Sequence, residues 1–170
     1  MFLGYYRSHG SVAEWSNAPH LKCGRPQGLE GSNPSASAVY IMKNYVFRLH
    51  PGQDLKKAIY DFVTSKNIKA GIILTCVGSL QKAVIRMAGA KEVKTYDDAF
   101  EIVSLVGTVE SGNGHLHISI SDKDGAVLGG HLKDGCIVGT TAEVVIGELE
   151  DLAFLRKPDA ESGYDELVVE

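Results

Sequence analysis

The stretch His115-Leu116-His117-Ile118-Ser119-Ile120-Ser121, followed by Asp122-Lys123-Asp124-Gly125, has very little conformational freedom. A strand sends successive side chains to opposite faces. Leu116, Ile118 and Ile120 therefore seek a core, while His115, His117, Ser119 and Ser121 face away from it. Asp at the first position of the turn and Gly at the fourth suit a type I turn closed by a left-handed glycine, a three-residue hairpin loop. Such a loop pairs Asp122 with Ala126. Counting outward, Ile120 faces Leu128, His117 faces His131 and Leu116 faces Leu132. This register gathers the apolar residues of both strands on one face, and a slip of one residue would turn them all outward.

The same register brings three imidazoles together. Directly opposed Cβ atoms lie about 4.5–5.5 Å apart, and residues two apart on a strand about 6.6 Å. From there His115, His117 and His131 can reach one ion at roughly 2.1 Å. Gly129 and Gly130 bring no side chains to crowd the approach. Three histidines with one position left open is the arrangement of a catalytic zinc site, so zinc or another divalent metal is the expected cofactor. Histidines on a polar sheet face can equally hydrogen-bond Ser, Asp or water. Convergence of the ring nitrogens on one point separates the two cases. Arg86, a charge within an apolar run, either binds an anionic ligand or snorkels to the surface. Glu143, on a mostly apolar strand, is a candidate fourth ligand, general base or ion-pair member. Cys76 and Cys136 have no neighbouring base and read as small core residues.

Around the hairpin the pattern is mostly strand. Tyr45–Leu49 alternates, and Pro51-Gly52 turns the chain. Asp54 can cap a helix over about 54–66, with Leu55, Ala58, Ile59, Phe62 and Val63 on one side. Gly71–Val77 reads as a buried strand broken at Gly78-Ser79, and 81–88 as another. Residues 100–109 and 141–146 are further strands, and 167–169 a last edge strand. The sum is an α+β fold, a mixed or antiparallel twisted sheet or half-barrel of seven to eight strands with one main amphipathic helix.

Residues 1–41 differ in kind. They are rich in Pro, Ser, Asn and Gly and show no sustained period. Val12–Pro19, Gly24-Arg25-Pro26 and Gly31–Pro34 resemble the peptide obtained when a bacterial tRNA gene is read as coding. The segment is expected to be a disordered tail or such an extension, with a natural start at Met42. Gly-Arg-Pro is also the core of an AT-hook, but Cys23 and Gln27 flank it where basic residues belong.

Charge and cysteines narrow the function. The net charge is −4, and residues 42–170 alone carry 14 Lys and Arg against 19 Asp and Glu. Phosphate neutralisation supplies most non-specific DNA affinity, so this balance weighs against autonomous DNA binding. Three scattered cysteines make neither a disulfide framework nor a thiolate zinc site. No apolar run approaches the roughly 20 residues needed to span a bilayer, and no signal peptide is legible. A cytoplasmic protein with reduced thiols and no membrane partner is expected.

Phe100–Thr108, His115–Ser119, Asp124-Gly125, Gly129-Gly130-His131-Leu132 and Thr141–Ile146 together resemble the PPC domain, shared by plants and prokaryotes. The resemblance covers about 43–150. It assigns 42–150 to that domain and 151–170 to a C-terminal extension of it. It implies a homotrimer, and, less directly, a DNA-binding or regulatory module. The fold is also similar to that of acetolactate decarboxylase, which implies His115, His117 and His131 as metal ligands. The alternative function is then a zinc-dependent small-molecule lyase or hydrolase, with Glu143 or Glu101 as acid or base.

Overall fold

The structure is a computed structural model that describes residues 42–170. The tail assigned to 1–41, with its Gly24-Arg25-Pro26, lies outside the described residues.

The chain runs β1 (Met42–Leu49), α1 (Leu55–Ser65), β2 (Gly71–Arg86), β3 (Val93–Tyr96), β4 (Phe100–Glu110), β5 (Asn113–Ser121), β6 (Val127–Leu132), β7 (Ile137–Leu149), β8 (Phe154–Pro158) and β9 (Asp165–Val169). The helix begins where Asp54, in extended conformation, accepts from the Lys57 amide at 3.0 Å. Its other carboxylate oxygen accepts from the Gly135 amide at 2.6 Å, so the cap also fastens the β6–β7 turn. Such a cap is worth about 1 kcal/mol. Leu55, Ile59 and Val63, one helical turn apart, are fully buried.

Seven strands form one antiparallel sheet, ordered β1-β7-β2-β4-β5-β6 with β3 also on β2. The sheet curls until β6 meets the far end of β2 at Ile85↔Leu132 and Arg86↔His131. β8 and β9 make a separate two-stranded ribbon. The expected α+β half-barrel with one helix is the observed architecture. The core lies on the concave face, where Leu80, Ile85, Leu105, Leu116, Ile118, Ile120 and Ile146 pack around the helix.

Three details differ from the sequence reading. β2 does not end at Gly78. The chain bulges there, with register shifts against β7 from Ile73 to Lys82, and continues as one strand. Gly78 has φ +149°, and a Cβ on it would strike the Thr141 carbonyl oxygen, so the glycine serves close strand approach rather than a turn. β3 and β8 were not legible. The last strand pairs with β8 instead of edging the main sheet.

Gly107 plays a similar part on β4. Its φ is +143°, and a Cβ would collide with the carbonyl oxygen of His115 on β5. Gly107→Ala should destabilise the protein by about 2–3 kcal/mol. The check is the urea midpoint at constant m-value; an unchanged midpoint would mean that the two strands can separate there without cost.

Candidate metal centre

The histidine hairpin folds in the register that its turn chemistry dictates. His117 faces His131, Ile120 faces Leu128, and the Asp122 backbone amide donates to the Ala126 carbonyl at 3.0 Å. Leu116, Ile118 and Ile120 are at most 2% exposed. The histidines therefore stand on the convex face, away from the helix. β4 extends this face, with Val106 opposite His117 and Thr108 opposite His115.

The three imidazoles meet. The Nε2 atoms of His115 and His117 are 3.1 Å apart, and one nitrogen from each of the three rings lies within 4.8 Å of the others. Ring centroids are 4.9–5.6 Å apart. Nδ1 of His131 is buried and has no hydrogen-bond partner among the described residues. An ordinary polar sheet face would satisfy that atom, because leaving it orphaned costs about 1–3 kcal/mol. The donor set fits a metal: three imidazoles, with a lone pair in need of a partner. Burial, with help from neighbouring cations, holds two of them in the neutral form that a metal requires. Burial lowers the His115 pKa, with His117 and Arg156 adding to it. His131 is pushed down to about 4, first by burial and then by Arg86.

The glycines beside the site act differently from expectation. A Cβ on Gly129 would come within 2.5 Å of the Ile118 carbonyl oxygen, and one on Gly130 within 2.6 Å of that of Arg86. They let β6 wedge between β5 and β2, and so bring His131 close to its partners.

The other candidates separate. Arg86 is directly opposite His131 and lines the same cavity. Glu143 is exposed on β7, between Arg48 and Val77, and Glu101 pairs with Ser121; neither lines the histidine cavity. Cys76 and Cys136 are buried free thiols, pushed by burial up to about 12 and about 11. Cys136 both accepts from and donates to the Val84 backbone.

Sequence reasoning missed the ribbon's contribution. Arg156 on β8 donates to Glu110 at 3.0 Å and to Thr108 at 2.6 Å, both on β4. The ion pair is nearly buried, each side chain 9% exposed. It pins the ribbon beside His115, and Arg156, Tyr164 and Glu166 line the cavity, whose volume is about 640 Å³. Arg156 and Glu110 are 46 residues apart, and no local pattern announces such a pairing.

The family model for the Plants and Prokaryotes Conserved (PCC) domain matches residues 36–150. A hypothetical protein from Salmonella is 43% identical, with TM-score 0.75, over 77% of this chain and 95% of its own. A metal-containing protein from Archaeoglobus fulgidus is 30% identical, with TM-score 0.65, over 78% of this chain and 99% of its own. Among curated relatives, the bifunctional protein GlmU of Synechococcus sp. (strain JA-3-3Ab) is 39% identical over 89% of this chain. The chain spans about a quarter of that protein's length, 25%. AT-hook motif nuclear-localized protein 8 of Arabidopsis thaliana is 24% identical over 69% of this chain and 32% of its own.

The depressed histidines set a pH dependence. An unfolded histidine protonates near 6.5, and His131 in the folded protein only near 4. Between those values the unfolded state binds more protons, so metal-free protein loses stability as pH falls through that window. With allowance for partial exposure, His131 accounts for about 1–2 kcal/mol of the loss. Urea unfolding of chelator-treated wild type and His131→Gln from pH 7 to pH 4 should show the steeper decline in wild type. Parallel curves would contradict it.

Proposed function

The chain belongs to the Plants and Prokaryotes Conserved domain family, and on that premise we propose that it is an oligomeric regulatory module in which His115, His117 and His131 hold one zinc ion. One observation carries this reading: three imidazole nitrogens lie within 4.8 Å of one another, with His131 Nδ1 buried and unpartnered. Imidazole donors suit zinc among the common divalent metals, and the metal-containing relative from Archaeoglobus supports a metal in the family. When bound, the ion would keep at least one open position for a ligand.

The oligomer we propose is a homotrimer. The convex face carries Val46, Leu74, Val77, Val103 and Val106, each 43–73% exposed. An apolar patch spread over three strands, β1, β2 and β4, favours burial against another protein surface. Self-association is the simplest use of it. The free buried thiols suit a reducing, cytoplasmic setting. No helix among the described residues is long and apolar enough to cross a membrane.

Association with DNA is a second reading, favoured by the likeness to the Arabidopsis AT-hook proteins. The acidic balance of 42–170 makes the domain the assembling part of such a protein rather than the part that grips phosphates. The lyase or hydrolase reading would need an acid or base at the ion. Glu143 and Glu101, the residues expected in that role, stand outside the histidine cavity.

Protein loaded with zinc and dialysed should retain one equivalent per chain by elemental analysis, and His117→Ala should lose it. Wild type free of zinc after reconstitution would sink the metal reading. Light scattering should give about three times 18.3 kDa, falling to one chain in Val77→Asp. A wild-type monomer would remove the trimer.

A further inference from the structure

Arg86 holds no ion in the zinc site as proposed, and its setting points to a ligand of its own. It is directly opposite His131 across the β2–β6 pairing and lines the histidine cavity. Among the described residues it has no carboxylate within 4.0 Å, in contrast to Arg156, which is paired with Glu110. Its guanidinium carbon lies 5.9 Å from the centroid of the Tyr164 ring. A planar guanidinium left unpaired in a cavity is matched by a carboxylate or a phosphate, either of which it can take with two parallel hydrogen bonds.

The cavity has room for more than an ion. Its volume of about 640 Å³ lies within the range of metabolite pockets, roughly 300–1,000 Å³. Met87, Ala88 and Ala90 give it an apolar wall beside the arginine. Asp165 and Glu166 of the ribbon also line the cavity, so among its lining residues Arg86 and the three histidines are the groups suited to hold an anion.

We propose that the cavity binds a small-molecule oxyanion, a carboxylate or phosphate, held by Arg86 and by the open position of the ion on His115, His117 and His131. The inference rests on the zinc reading for its second contact, while Arg86 supplies the first independently of it.

Calorimetric titration with oxalate and with inorganic phosphate tests it, on wild type, Arg86→Gln and Arg86→Lys, each assayed for zinc. Wild type should bind at least one of the two anions. Arg86→Gln should bind it about 10- to 100-fold more weakly, as expected for loss of a charged hydrogen-bond pair, with its zinc content unchanged. Arg86→Lys, which keeps the charge and loses the fork, should fall between. The preferred anion identifies the chemistry of the ligand's head. Equal affinity in zinc-loaded wild type and Arg86→Gln overturns the inference and leaves the zinc site standing. If wild type holds no zinc, the zinc reading fails by itself. The inference then survives only if the metal-free protein still binds anion through Arg86, and is overturned if it does not.

Discussion

The turn between β5 and β6 sets the geometry on which the site depends. Asp122 Oδ1 accepts from the amides of both Asp124 and Ala126 at 2.9 Å, and Gly125 takes the left-handed conformation, φ +79°, that closes the loop. An aspartate that hydrogen-bonds its own following backbone is a turn former, and glycine alone adopts that φ without strain. Because side chains alternate along a strand, this short loop decides which residues face the core in both strands. It therefore also decides that His117 meets His131.

Packing then holds what the turn arranges. Leu116, Ile118, Ile120 and Leu132 are at most 2% exposed, and each contributes about 1.5–3 kcal/mol on burial. The hairpin could slip only by turning all four into water, so the histidine face is fixed by the core behind it. Strand contacts add to this from the sides. Gly107 lets β4 lie against His115, and Gly129 and Gly130 let β6 lie between β5 and β2. The buried Arg156–Glu110 pair closes the near side of the cavity. Removing one member of such a pair leaves a charge without compensation, so the ribbon's position is tied to both residues.

What was legible in the sequence was local. The hairpin register, the Asp54 cap, the helix and the core alternation all follow from residues close together in the chain, and all appear in the structure. What was not legible depends on distant pairing. Gly78 has the look of a breaker, but opposite Ala142 it sits in a bulged stretch that lets β2 run on to Arg86. That continuation is what carries Arg86 to His131. β8 is a short run containing Arg156 and Lys157, and its place is set by Glu110 and Thr108 of β4 rather than by periodicity. Glu143 and Glu101 had the chemistry of acid–base groups. They do share the convex face with the histidines, but sheet order places them away from the cavity.

The central claim is that one strand register delivers three imidazoles to one ion. X-ray absorption at the zinc edge of the reconstituted protein tests it most directly. The account predicts three imidazole nitrogens at about 2.0–2.1 Å and one further light-atom ligand from water or anion, with one imidazole lost in His131→Ala. A spectrum showing sulfur at about 2.3 Å, or fewer than two imidazoles, would contradict it.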